Sequence, residues 1–177
     1  PGIGNIGGFS TKNVPIEILS KVNFPSDTNN QLFEVNRSIK GWEIETDPSQ
    51  YKNIDLALNW YEQEAQKGNP LAKNNLAIIY TRGGENEINY NKAMALLNEA
   101  SEFSSEALNN LGVFYANGFG VEKNSTKALA LYFKSAKKGS VTAMYNIGIS
   151  YFNGLNGLEK DKIKAKYWFE KAKAYNF

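Results

Sequence analysis

The sequence predicts an all-α fold, a right-handed α/α superhelix built from antiparallel helix pairs. Three observations predict it. One residue pattern returns at a fixed interval, helix-capping residues return in phase with it, and tiny residues recur where helices would meet. The pattern reads AKNNLAIIYTRG over 72–83, ALNNLGVFYANG over 107–118 and AMYNIGISYFNG over 143–154, at spacings of 35 and 36 residues. A fixed period of this length marks a stacked array of supersecondary units.

The first helix of each unit carries Ala, then a tiny residue (Ala77, Gly112, Gly148), then Tyr (Tyr80, Tyr115, Tyr151). Its N-caps are Asn69, Ser104 and Ser140, three residues before the repeat Ala. Such side chains accept a free backbone N–H of the first turn. Pro70 follows Asn69, at the helical position where its missing N–H costs nothing. Gly83, Gly118 and Gly154 end these helices, since Gly accepts the left-handed conformation of a helix stop.

The second helix is marked by Ala57, Ala93, Ala128 and Ala165, at spacings of 36, 35 and 37 residues. Trp60, Leu96, Leu131 and Trp168 follow three residues later, with Tyr61, Leu97, Tyr132 and Phe169 beside them. Asn53, Asn89, Asn124 and Asp161 stand four residues before each Ala as N-caps. Gly68 and Gly139 close two of these helices, and Asn176 holds that place in the last. The expected helices are 54–67, 70–82, 90–102, 105–117, 125–138, 141–153 and 162–175. The tiny residues admit a close neighbouring helix, and the aromatic positions fill the layer between units as core.

These residues resemble a known family. The string A-x-x-x-L-G-x-x-Y-x-x-G-x-G-V over Ala107–Val121, the Lys127–Ala128 pair, and W-[YF]-x-K-A over Trp168–Ala172 are similar to the Sel1-like repeat. That family is related to the tetratricopeptide repeat, with a longer link between helices. The resemblance covers roughly 53–177, about three and a half repeats. Repeat one departs from it. Ala77 replaces Gly, GENE over 84–87 replaces the G-V loop, and the exit ASEFSS over 100–105 lacks the usual Ala-Ala and Gly. A local irregularity is expected there.

Residues 1–52 are a different kind of sequence. All sixteen alanines lie from Ala57 onward. The expected organisation is an N-terminal arm and degenerate first helix over 1–52, packed on a solenoid over 53–177. Residues 30–41 are predicted as that degenerate helix, capped near Asp27 or Thr28 and paired with the helix from Asn53. Val14 to Val22 is predicted as a short helix and 1–12 as a loose arm. The Gly-rich start lacks G-K-[ST] and follows no strand, so it is no phosphate loop.

Composition bounds the function. A net charge of +2 argues against a dedicated nucleic-acid binder, which carries a basic face. The lysines of the last helix are interrupted by Glu159, Asp161 and Glu170 and read as a solvated face. No apolar run approaches the about 20 residues that span a bilayer. The chain has no Cys and no His. Disulfides, thiol chemistry, common zinc sites and the usual general base near neutral pH are therefore excluded. No catalytic, cofactor-binding or metal-binding residues are expected. The acidic cluster Glu43, Glu45 and Asp47 lacks EF-hand spacing and reads as a solvated loop.

The resemblance implies a concave groove lined by the first helices. Aligning the L-G-x-x-Y core carries the groove positions onto Asn74, Asn75, Ile78, Thr81 and Arg82 in repeat one. In repeat two they are Asn109, Asn110, Val113, Ala116 and Asn117. In repeat three they are Tyr145, Asn146, Ile149, Phe152 and Asn153. Asn75, Asn110 and Asn146 form a ladder at one phase. An amide donates and accepts, so a rung can pair with the backbone of an extended partner or with the neighbouring repeat. Both roles stay open at this point.

The expected function is a non-catalytic module that binds another protein through the groove and nearby loops. The resemblance implies an adaptor, or an immunity protein that neutralises a secreted toxin. The alternatives are a hydrolytic enzyme, as attributed to Cys-rich relatives, and a self-assembling array. The expected compartment is periplasmic or exported from a bacterium, with cytoplasmic as the alternative. Tyr167, Trp168, Phe169, Tyr175 and Phe177 near the C-terminal end are expected to include a dimer or partner contact.

Overall fold

The computed structural model describes residues 31–48, 53–82 and 87–175. These residues form eight helices and no strand: α1 Lys40–Thr46, α2 Asn53–Gln66, α3 Pro70–Arg82, α4 Tyr90–Ala100, α5 Ser105–Asn117, α6 Ser125–Lys137, α7 Val141–Asn153 and α8 Lys162–Tyr175. Each helix packs chiefly on its chain neighbours, as in a solenoid. The expectations for 1–30, for the Gly83 stop and for residues 176–177 lie outside the described residues.

The caps form as their spacing requires. Asn89 Oδ1 accepts from Lys92 N–H at 3.0 Å, Asn124 Oδ1 from Lys127 N–H at 3.0 Å, and Asp161 Oδ1 from Lys164 N–H at 3.0 Å. Ser104 and Ser140 Oγ accept from Ala107 and Ala143 N–H at 3.1 and 3.0 Å. Asn69 Oδ1 accepts from Leu71 N–H at 3.0 Å. Helix α2 begins at Asn53, whose side chain is outside the described ones. Gly118 and Gly154 stop α5 and α7 in the left-handed region, at φ 75° and 68°. A side chain at either would be strained.

The repeat tyrosines lock each pair at its hinge. The N–H of the second helix's cap residue donates to the tyrosine carbonyl: Asn89 to Tyr80 at 2.9 Å, Asn124 to Tyr115 at 2.8 Å and Asp161 to Tyr151 at 2.8 Å. A lysine three residues on then covers the ring. Lys92, Lys127 and Lys164 Nζ lie 4.7, 4.5 and 5.6 Å from the centroids of Tyr80, Tyr115 and Tyr151. Each such cation–π contact is worth about 0.5–1 kcal/mol at an exposed site.

The tiny residues sit under rings. A Cβ at Gly112 would stand 2.5 Å from the Tyr132 ring, and one at Gly148 would stand 2.5 Å from Phe169. Gly41 of α1 has the same environment, since a Cβ there would overlap the Tyr61 ring. Gly41, Ala77, Gly112 and Gly148 are spaced by 36, 35 and 36 residues. The array therefore begins earlier than its alanines indicate. Where the tiny residue is Ala77, the residue at the ring position is Leu97.

Two departures have physical causes. The helix expected over 30–41 is not present. Residues 31–36 carry no secondary structure, and α1 starts only at Lys40 behind an extended Ile39 that provides no side-chain cap. Helix α1 does pair with α2, so the first repeat keeps the second half of its first helix. Its first half is unwound, and the backbone groups freed there bond elsewhere in the molecule. The second departure is at the exit of α4. That helix stops at Ala100, and Phe103 N–H closes a turn on Ala100 O at 3.0 Å. Phe103 stands where Gly68 and Gly139 take φ 92° and 94° in the sibling turns. The ring is 71% exposed.

Tyr132 is fully buried, and its hydroxyl has no partner among the described residues. Phe169 fills the same register without a hydroxyl. An unsatisfied buried group costs about 1–3 kcal/mol. Tyr132→Phe should therefore raise the urea midpoint, by about 1 kcal/mol of stability. Burial also pushes the Tyr132 hydroxyl well above the ordinary tyrosine pKa. A raised folded-state value gives stability that is complete below the unfolded pKa of about 10 and is lost as pH rises towards the folded value. Tyr132→Phe should lessen that alkaline loss. Gly41→Ala should lower stability by about 1–3 kcal/mol through overpacking on Tyr61. Chemical denaturation of the single variants at two pH values checks all three expectations.

Candidate functional site

The first helices, α3, α5 and α7, bring their asparagines to one line, and residues 31–36 lie along it. Asn146 takes both main-chain groups of Leu32: its Oδ1 accepts from Leu32 N–H at 2.7 Å and its Nδ2 donates to Leu32 O at 2.9 Å. Asn110 does the same to Glu34, at 2.8 and 2.8 Å. Asn75 does the same to Asn36, at 2.8 and 2.8 Å. Alternate residues meet successive rungs, which is the period of an extended chain. Two extended residues span roughly 6.7 Å, so the rungs stand about that far apart along the groove. The segment runs from repeat three towards repeat one.

A second row braces the first. Asn74 Nδ2 donates to Glu34 O at 3.0 Å and Asn109 Nδ2 to Leu32 O at 2.9 Å. Asn110 Nδ2 reaches back one repeat to Asn74 Oδ1 at 2.7 Å, and Asn146 Nδ2 reaches Asn109 Oδ1 at 2.8 Å. Asn75 has no such neighbour and donates instead to Tyr61 Oη at 3.2 Å. The rungs thus serve an extended strand and the neighbouring repeat at once. With the contact from Asn109 Nδ2 at 3.2 Å, both donors and both acceptor sites of Asn110 are used.

The strand's side chains are taken up as well. Leu32, Phe33 and Val35 are 2–4% exposed and share one buried cluster with Ile78, Val113, Ile149 and Tyr145. Phe33 meets Phe114 edge-on at 6.0 Å. Ser140 Oγ donates to Glu34 Oε1 at 2.7 Å, and Asn36 Nδ2 donates to Glu106 Oε1 at 3.2 Å. Gln31 is buried at the far end, where its Oε1 accepts from Ser150 Oγ and Asn156 Nδ2, each at 3.4 Å.

Five of the fifteen residues expected to line the groove, Asn74, Asn75, Asn109, Asn110 and Asn146, bond the strand directly. Ile78, Val113, Ala116, Tyr145 and Ile149 belong to the buried cluster beneath it, and Phe152 packs on that cluster partly buried. Four are turned elsewhere. Thr81 Oγ1 donates to Ile78 O of its own helix at 2.6 Å. Asn117 and Asn153 Nδ2 donate to carbonyls of their own helices, Val113 at 2.8 Å and Ile149 at 3.3 Å. Arg82 pairs with Glu45 of α1. Glu45 also accepts from the Tyr61 hydroxyl at 3.2 Å, so this member of the acidic cluster is not in a solvated loop. Burial, with the Glu45 carboxylate adding to it, raises the Tyr61 pKa well above its ordinary value. No group of three acidic residues able to hold a metal occurs among the described residues.

Residues 31–36 are the part of the site that the sequence reading missed. Their signal is the alternation of Phe33 and Val35 with Glu34 and Asn36, a period of two rather than 3.6. Comparison with known proteins agrees with the architecture. The Sel1 repeat model matches residues 47–69, 70–102, 105–140 and 141–174. This chain belongs to the Sel1 repeat family. Sel1 repeats generally mediate protein–protein interaction, and this chain is built of them. Two solved structures share the Sel1 fold with it at 29% identity. A Sel1 repeat protein from Oxalobacter formigenes superposes with TM-score 0.63 over 76% of this chain and 55% of its own. A protective antigen of uropathogenic Escherichia coli strains, displaying an SLR fold, superposes with TM-score 0.59 over 75% of this chain and 28% of its own. Two curated Arabidopsis thaliana proteins are also similar, the ERAD-associated E3 ubiquitin-protein ligase components HRD3B and HRD3A. Each is 54% identical over 37 residues, which is 21% of this chain and 6% of the relative. The chain thus spans about half of one Sel1 structure and a small part of the longer relatives. No described helix is long and apolar enough to cross a membrane.

Asn110→Ala should lower the melting temperature markedly, because it strips the Glu34 N–H of its partner and cuts the Asn74 link. Each buried group left unpaired costs about 1–3 kcal/mol. Calorimetry on the single variant checks this. Asn117→Ala, which removes a hydrogen bond within its own helix, should change stability far less.

Proposed function

We propose that this chain is a non-catalytic protein-binding module whose concave groove takes a partner as an extended strand, in the place that residues 31–36 hold in the free chain. One observation carries the reading: Asn75, Asn110 and Asn146 each engage the N–H and the C=O of one residue. Pairing of this kind is made with main chain, so any extended segment can satisfy it. The buried sites of Leu32, Phe33 and Val35 add a preference for apolar side chains at those three positions. Main-chain bonds for affinity and alternate pockets for specificity is the logic of strand-type peptide recognition.

The resident strand sets the terms for a partner. It is joined to α1 through 37–39, so it competes at the high effective concentration of a short tether. A partner must add contacts from loops beside the groove to displace it. The adaptor or immunity role implied by the family asks for no more than this: a surface that holds another protein and carries out no chemistry. The lack of His and Cys supports the non-catalytic part of the reading.

The test uses the full chain with Phe33→Ala and Val35→Ala, which loosens the resident strand, and a labelled peptide of sequence QLFEVNRS. Fluorescence polarisation should show the peptide binding the double variant at least about ten-fold tighter than the parent. Adding Asn110→Ala should weaken that binding by roughly ten-fold or more, the worth of two hydrogen bonds at about 0.5–1.5 kcal/mol each. A double variant that keeps its helical circular dichroism yet binds neither this peptide nor any other extended apolar–polar peptide would refute the reading.

A further inference from the structure

The repeats of one chain are an internal reference for what the fold demands at each register. Two residues after the cap of the second helix, the four repeats carry Asp55, Asn91, Thr126 and Ile163. Six residues after it they carry Asn59, Ala95, Ala130 and Tyr167. All eight positions are exposed, including those with a further repeat stacked beyond them. The fold asks for nothing apolar there, yet Ile163 is 84% and Tyr167 58% exposed. One residue after the ring position stand Glu62, Asn98, Phe133 and Glu170. Phe133 is again the apolar, solvent-facing exception.

The three exceptions adjoin. Ile163 and Tyr167 are four apart and share a face of α8. Tyr167 meets the Trp168 ring edge-on at 5.6 Å, and Trp168 meets Phe133 edge-on at 5.5 Å. Lys171 Nζ lies over both neighbouring rings, 5.0 Å from the Trp168 centroid and 6.0 Å from that of Tyr167. The result is a braced aromatic patch on the outer face of α6 and α8, away from the groove. Its surroundings are cationic. Residues 162–175 hold five lysines against one glutamate, and Glu170 already lies 3.9 Å from Lys166.

We propose that Phe133, Ile163, Tyr167 and Trp168 form a docking surface for an acidic protein segment that carries apolar side chains, separate from the groove. The charge selects the occupant. Two copies meeting patch to patch would set lysine against lysine, which opposes an isologous dimer. Insertion into a membrane surface needs a helix's apolar face. In α8 that face, Ala165, Phe169 and Ala172, is buried in the solenoid. Trp and Tyr anchors ringed by charge are what energetic centres of protein interfaces are made of.

The test replaces each exception by what a sibling repeat carries: Phe133→Asn, Ile163→Thr and Tyr167→Ala together. The fold tolerates these residues at the same registers, so the triple variant should melt within a few degrees of the parent. A random-peptide display library selected on the full chain should yield binders that combine Asp or Glu with aromatic or aliphatic residues. These should lose roughly ten-fold or more in affinity on the triple variant, weaken as salt rises, and bind the Asn110→Ala chain as they bind the parent. Selected binders that are not acidic, or that ignore the triple variant, overturn the proposal. So does cosedimentation with phosphatidylserine vesicles that the triple variant loses, which gives the surface to a membrane. A concentration-dependent dimer lost in the triple variant gives it to a second copy, and likewise overturns the proposal.

Discussion

A backbone segment buried away from water must find partners for its N–H and C=O groups. Residues 31–36 are buried against helices, whose own main-chain groups are already spent. The asparagine ladder answers this constraint. One amide supplies a donor and an acceptor from a single position, and one rung per repeat meets every second residue of the strand. The carbonyls of Leu32 and Glu34 are each shared by two asparagines of adjacent helices. Strand and stack are therefore coupled. The repeats hold the strand, and the strand links rungs 35 and 36 residues apart in sequence.

The same constraint accounts for the half-formed first repeat. To enter the groove, the chain must leave helical register ahead of α1. Helix α1 is only seven residues long, below the length at which a helix holds without tertiary contacts. It is held by the Tyr61 ring over Gly41 and by the Arg82–Glu45 pair. Elsewhere the helices were legible to within two residues, because an Asn, Ser or Asp cap and a Gly stop bracket nearly every one. The groove positions were legible too, since a repeated phase puts equivalent residues on one line. Residues 31–39 were misread as helix for a physical reason. The Phe33–Val35 alternation is short, and its partners are the side chains of three distant helices rather than a neighbouring strand with a pattern of its own. The ion pair of Glu45 was hidden for the same reason, as Arg82 is 37 residues away.

Repeats that carry the same structural load also separate what packing requires from what it does not. Gly opposite a ring and Ala77 at the register of Leu97 are two solutions to one spacing. Tyr132 and Phe169 show that the hydroxyl is dispensable in the later repeats, whereas the Tyr61 hydroxyl in the first is bonded to Glu45 and Asn75. By the same comparison the asparagines at 75, 110 and 146 are kept because each meets a strand, and the apolar residues at 133, 163 and 167 answer to no demand of the stack. A groove that binds main chain and an outer face that presents rings among lysines give this Sel1 repeat chain two chemically different surfaces.

Amide hydrogen exchange at Leu32, Glu34 and Asn36, followed residue by residue by NMR, tests the central claim most directly. If the ladder holds the strand, these three amides exchange as slowly as those inside α5, and Asn110→Ala speeds the Glu34 amide most. Exchange of all three at the rate of an open loop, unchanged by Asn110→Ala, would contradict the account.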